Sequence, residues 1–287
     1  MTELPPNVVT KLVVIVFENH GRRQAEKSMP YLMSLAKKYG YATAYKARTH
    51  PSLPNYLAIV SGKTHGIRSN VYPSSAKLTG STVLSGAIDA NRTAKTYADG
   101  MPRNAYLKNG GDDYVVRHNP WLYFPGDKED WSVFDVPYNG IAGPGTNFGV
   151  DVKNGNIPNL ALIIPNNINN AHDGSLGTAD KWLKARMNLI LNGEDFKRGN
   201  TAIAILFDED NHKENNNVAF VMVHPHLSGK RVTTALTHYS LTRALADVGH
   251  SPRLNNAAKA PDLLKAFGLV PDPGADGRPE DPANLIE

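Results

Sequence analysis

Apolar residues run unbroken from Leu12 to Phe17, LVVIVF, a β-branched block that predicts a strand covered on both faces. After a polar loop, SMPYLMSLAKKYG predicts a helix with Ser28 as N-cap, Pro30 in the first turn and Gly40 as the stop. The stretch THPSLPNYLAIVSG, residues 49–62, predicts a second helix from about Leu53 to Val60, closed by Ser61 and Gly62. Residues 63–157 are rich in Gly, Asn, Pro and aromatics, with short regular pieces such as TAKTYA and GDDYVV. They read as a loop-rich cap over one face.

Regular patterning returns with NLALIIPN as a strand. DKWLKARMNLIL follows as a helix, with Trp182, Leu183, Met187, Leu189 and Ile190 at helical spacing and Asp180 as its N-cap. TAIAILFDED and NVAFVMVHP predict two more buried strands, THYSLTRALADVG and APDLLKAFG two closing helices. Apolar strands alternating with helices imply an α/β fold with a mainly parallel central sheet covered by helices on both faces. One domain is expected over residues 1–270, and PDPGADGRPEDPANLIE supplies a C-terminal tail, 271–287.

Composition narrows the function classes. No cysteine is present, which excludes disulfides, thiolate zinc sites and cysteine nucleophiles. The net charge of +4 is spread over 31 cations and 27 anions with no like-charged block, so no nucleic-acid partner is expected. The run Leu12–Phe17 is too short to span a bilayer, and no leader pattern opens the chain. A soluble protein without stable membrane insertion is expected, with compartment and oligomeric state left open.

The candidate chemistry lies at strand ends and helix starts. LVVIVF runs into Glu18 and Asn19, and AIAILF into Asp208, Glu209 and Asp210. Ligands of open α/β sheets bind outside the carboxyl ends of the strands, and oxygen donors of this kind suit hard divalent cations. The same acids also serve as helix caps or solvated loop charges in many proteins. Ser52 stands where a helix dipole favours an anion, with Asn55 one turn on. There it reads either as a phosphate-ester nucleophile or as a plain helix cap. His172 with Asp173, His238 at a helix start and His118 beside Arg117 complete the set.

The ordered series VVIVFENH, MPYLMSLA, HPSLPNYLAIVSG, RHNPW, IIPNNINNAHDGS, FDED and THYSLTRAL resembles the phosphoesterase family of acid phosphatases and bacterial phospholipases C. That family lies within the alkaline phosphatase superfamily, and the likeness is greatest to the shorter secreted bacterial acid phosphatases. It spans residues 12 to about 268 and implies a three-layer sandwich of the alkaline phosphatase type. It further implies that Ser52 is the nucleophile and that Glu18, Asn19, Asp208 and Glu209 join Ser52 around a divalent metal (Ca, Mg, Mn or Zn). Asn55 would steady the phosphoryl group, and His172, Asp173, His238 and His118 would surround it. The implied substrate is a small-molecule phosphate monoester. A phosphodiesterase, or a non-catalytic binder of phospho-ligands, are the alternatives. One departure stands out: the family pattern Asn-Asp-x-His-Asp reads Asn169, Asn170, Ala171, His172, Asp173 here. The resemblance also implies an exported protein.

Overall fold

Phe17 and Phe207 are register partners at the ends of two neighbouring parallel strands, and this pairing sets where the chain can do chemistry. A computed structural model describes residues 4–139 and 147–274. Among the described residues its main sheet has eight strands: β1 (Lys11–Phe17), β2 (Gly40–Ala42), β3 (Ala94–Ala98), β4 (Asp135–Pro137), β5 (Leu160–Ile164), β6 (Thr201–Phe207), β7 (Phe220–Val223) and β8 (Lys230–Val232). Across the sheet they run β8-β2-β7-β6-β1-β5-β3-β4. All neighbours are parallel except β7, which runs antiparallel to both β6 and β2. The central strands are buried on both faces, as their unbroken Val, Ile and Leu runs require.

Helices cover both sides. One layer holds α1 (Arg22–Ser28), α2 (Pro30–Lys38) and the long α5 (Leu176–Asn192). The other holds α3 (Ser52–Ser61), α4 (Val83–Asp89) and α6 (His238–Gly249). Gly62 ends α3 in the left-handed conformation at φ 69°, and a Cβ there would run into the carbonyl oxygen of Leu254.

Four expectations change. Ser28 is the last residue of α1 rather than a cap, and Met29 precedes α2. Asp180 lies inside α5, whose N-cap is Ser175. The Asp180 carboxylate reaches across to accept the Tyr31 and Leu32 N–H groups at 2.8 and 2.9 Å, so it caps α2 instead. The region 63–157 is more than a cap, because its pieces β3 and β4 extend the main sheet. Finally, Val270–Pro271, at the start of the expected tail, pairs in parallel with Val8–Val9. The remainder of that tail from residue 275 lies outside the described residues.

The aromatics of this region fill its interior. Tyr114, Trp121, Tyr123, Phe124 and Trp131 are all buried, and Tyr106 is packed against them at the edge. Among them sits Asp135, buried, with Asn119 Nδ2 donating to Oδ1 at 2.8 Å and Oδ2 left without a hydrogen bond. Burial raises its pKa to about 8, partly offset by the Asn119 bond. A raised carboxyl pKa stabilises the fold fully below the ordinary value of 3.8, and that contribution is lost as pH rises towards 8. Asp135→Asn should therefore leave stability almost unchanged at pH 4 and raise it by about 1–3 kcal/mol at pH 9. Paired urea titrations at the two pH values measure the difference, and an equal effect at both would refute it.

Candidate active site

Four chain segments meet at the carboxyl edge of β1, β5 and β6. The Asp208 N–H donates to the Phe17 carbonyl, and the Glu18 N–H to the Asn170 carbonyl, each at 2.9 Å. This fixes the residues after β1 and β6 side by side, with the 166–173 loop alongside. Asp99, after β3, anchors that loop by accepting from Asn169 Nδ2 at 2.9 Å and Trp182 Nε1 at 3.0 Å. Asn19 has positive φ, 24°, and its backbone N–H donates to Asp208 Oδ1 at 3.1 Å.

Ser52 opens α3 and is 2% exposed. Pro51 occupies the N-cap position without a side-chain cap bond, so the capping reading of Ser52 falls. Its hydroxyl lies 2.9 Å from Glu18 Oε2 and 3.2 Å from Glu209 Oε1. The helix start offers fewer free donors than its dipole suggests. Leu53 N–H is bound to Asn70 Oδ1 at 3.1 Å, and Pro54 has none, which leaves the Ser52 N–H.

Glu18 and Asp208 are fully buried and Glu209 nearly so. Burial raises the pKa of Glu18, offset by the hydroxyls of Tyr56 and Ser52. Burial, and then the charges of Glu18 and Glu209, holds the Asp208 carboxyl well above the usual range. Burial and the charge of Glu18 push Glu209 up to about 8. One hydroxyl proton cannot serve two carboxylates at once, so the cluster needs a further proton or a cation. Glu18 Oε1 and Asp208 Oδ2 are buried without hydrogen bonds. Among the described residues no three His, Asp or Glu side chains already close as a metal cluster. The crowded oxygens, two of them orphaned, nevertheless fit a hard divalent cation.

Beside the acids stands a ring of imidazoles. His118, 1% exposed, stacks on Tyr56 and brings Nε2 to 3.0 Å from Glu18 Oε1, without the alignment of a hydrogen bond. Burial, then Arg117 and His172, holds its pKa well below the ordinary imidazole value. His172 is half-open to solvent. Its Nε2 accepts from Arg117 Nη2 at 3.2 Å, which places the ring proton on Nδ1, 2.7 Å from Asp173 Oδ1. That contact, more than the weaker opposing burial, holds Asp173 below the usual carboxylate range.

The remaining expected residues sit at the site in other postures. Asn55 Oδ1 accepts from the N–H groups of Arg48 and Thr49, and Nδ2 donates to the Thr49 carbonyl at 2.7 Å and approaches Glu209 Oε2 at 3.3 Å. Its amide thus clamps the loop before Ser52. His238 is fully buried behind Asp208, with Nε2 donating to the Asp208 carbonyl at 2.6 Å and Nδ1 accepting from Tyr45 at 3.1 Å. Both nitrogens are engaged and burial lowers its pKa to about 4, so it holds Asp208 rather than facing a ligand.

Two residues were missed. His50 bridges Glu209 Oε2 at 2.8 Å and Asp210 Oδ1 at 3.1 Å, and stacks on His212. Arg117 supplies the positive charge felt by Glu18, Glu209 and His118. Both stand directly beside residues that the motifs single out, His50 two positions before Ser52 and Arg117 one before His118. Adjacency was the only signal.

The model of the phosphoesterase family matches residues 22–213. A phosphatidylinositol-3-phosphatase of Mycobacterium tuberculosis is 27% identical over 262 residues, 90% of this chain and 82% of that protein. A phosphate-repressible acid phosphatase of Penicillium chrysogenum is 29% identical over 82% of this chain, which spans 58% of its length. Among solved structures, an alkaline phosphatase superfamily protein of Vibrio parahaemolyticus superposes with a TM-score of 0.55 at 13% identity, covering 89% of this chain and 73% of that one. A lipoteichoic acid synthase of Listeria monocytogenes does so with a TM-score of 0.58 at 10% identity, covering 87% and 76%. These structural likenesses concern the three-layer fold.

Proposed function

The chain belongs to the phosphoesterase family and is a phosphoric ester hydrolase, and from that premise we propose that it cleaves phosphate monoesters with Ser52 as nucleophile. The observation that carries the reading is the Ser52 hydroxyl, held at a helix start within 2.9 and 3.2 Å of two carboxylates from different strands. The names of its relatives, acid phosphatases and a phosphatidylinositol-3-phosphatase, favour a monoester.

Glu18, Asp208 and Glu209 would hold a divalent cation, with Asn19 fixing Asp208 from its backbone. Such a cation would favour the ionised serine and offset charge on the phosphoryl oxygens. In the first half-reaction Ser52 Oγ forms a bond to phosphorus as the ester oxygen leaves, and its proton passes to the acids it touches. The Ser52 N–H, the α3 dipole and the Arg117 guanidinium would each favour the phosphoryl group's negative charge. His172, oriented by Asp173, presents Nε2 at the solvent side. With its proton on Nδ1, it would take a proton at Nε2 from the water that cleaves the phosphoserine once Arg117 turns to the phosphoryl group, while the leaving oxygen takes up the serine's proton from the acids. His238 is left out of proton transfer because both its nitrogens are committed.

The test is a substrate panel on EDTA-treated protein supplemented with Mg²⁺, Ca²⁺, Mn²⁺ or Zn²⁺ in turn. p-Nitrophenyl phosphate should turn over with kcat/KM about tenfold or more above that of its bis-ester, and only with added cation. Preference for the bis-ester would overturn the monoester assignment, and full activity in EDTA would overturn the cation.

A further inference from the structure

We infer that Asn170 fixes the tautomer of His118 and thereby restricts the cation site to oxygen donors. The Asn170 side chain is fully buried, so neither of its polar atoms has water to turn to. The His172 backbone N–H donates to Asn170 Oδ1 at 2.8 Å, which settles the orientation of the amide. The NH₂ group then faces His118 Nδ1 at 3.4 Å. An amide nitrogen only donates, so Nδ1 must carry the lone pair and the ring proton must sit on Nε2. Nε2 is buried and lies 3.0 Å from Glu18 Oε1, outside hydrogen-bond alignment.

The consequence falls on the acids. A proton on Nε2 bars His118 from binding a metal through that nitrogen. Glu18 then offers oxygens alone, of which Oε2 already accepts from Ser52. A carboxylate at position 170 would reverse the pattern. It would accept from an Nδ1–H, which turns the Nε2 lone pair towards Glu18 Oε1. A nitrogen and an oxygen lone pair would then face each other across 3.0 Å, a pairing that a borderline metal such as zinc would join. With Asn170 in place the donors are oxygens only, which suits Mg²⁺, Ca²⁺ or Mn²⁺ over Zn²⁺. The tautomer follows from the geometry alone, whereas the cation preference rests on the cation site proposed above.

Two-bond ¹H–¹⁵N spectra of histidine-labelled, EDTA-treated full-length protein read the tautomer directly. His118 should show a bare Nδ1 in the wild type and a protonated Nδ1 in Asn170→Asp. A protonated Nδ1 in the wild type, or a bare one in both proteins, would overturn the assignment. The wild-type spectrum decides even if the variant fails to fold. Asn170→Ala should release the ring into a mixture of tautomers, and an unchanged single tautomer there would equally refute the role of Asn170. Calorimetric titration with ZnCl₂ and MgCl₂ then tests selectivity. The Zn²⁺ to Mg²⁺ affinity ratio should rise about tenfold or more in Asn170→Asp. An unchanged ratio would sink the selectivity while the spectra still judge the tautomer. Failure of either cation to bind the wild type would count against the cation site itself.

Discussion

Ser52→Ala should fold and lose turnover by about 10⁴-fold or more, the scale seen when a covalent nucleophile is removed. The fold should survive because Ser52 is the first residue of α3 and not its cap, so the helix loses no backbone partner. What disappears is a hydroxyl donating to Glu18 or Glu209, a bond worth about 0.5–1.5 kcal/mol. In a domain of this size that corresponds to a drop in Tm of a few degrees, about 2–4 °C per kcal/mol. Two measurements are needed together. Acid-quenched incubation with a ³²P-labelled monoester should trap label on the wild type and none on the variant, and near-UV circular dichroism should be superimposable. Wild-type turnover by a folded Ser52→Ala protein would remove the proposed mechanism.

The second large effect has opposite signs in the two states of the protein. Without a cation, Glu18, Asp208 and Glu209 crowd one another in a buried place, and each has its pKa raised by burial. Asp208→Asn removes one member of that set while keeping an acceptor for the Asn19 N–H. The EDTA-treated variant should therefore be more stable than the wild type by about 1–3 kcal/mol. The wild type should regain this with a saturating divalent cation, which at a hundredfold excess over Kd contributes about 2.7 kcal/mol, or roughly 5–10 °C in Tm. The variant should show almost no such rise and should lose about 10²-fold or more in kcat. Differential scanning fluorimetry with and without cation gives both signs in one experiment. An equal cation-induced rise in both proteins would show that Asp208 is not a ligand.

The parts of this molecule that were legible in its sequence are those in which one strong period dominates. LVVIVF and TAIAILF are strands at any reading, and their polar ends marked the candidate edge of the sheet. RRQAEKS was not legible as α1, because it buries only Ala25 and so carries no apolar stripe. AKTYA and DVP looked like pieces of a cap because each is short, and their places at one margin of the sheet depend on partners far along the chain. Asp180 was misplaced for a related reason. An acid near a helix start reads as that helix's own cap, and nothing local reveals that it serves a helix some 150 positions earlier. The site followed the same rule. The family resemblance pointed to Ser52 and the acids, where residue types alone left the capping readings open. The contacts that assign duties to Asn55, Asn170 and His238 span the fold and appear only in three dimensions.

The clamp formed by Asn55 has a kinetic meaning. Because its amide ties down the Arg48 and Thr49 N–H groups and the Thr49 carbonyl, the turn leading into Ser52 is ordered before any ester arrives. Binding energy from the substrate need not be diverted to freezing that turn, and can be directed to the climb towards the transition state.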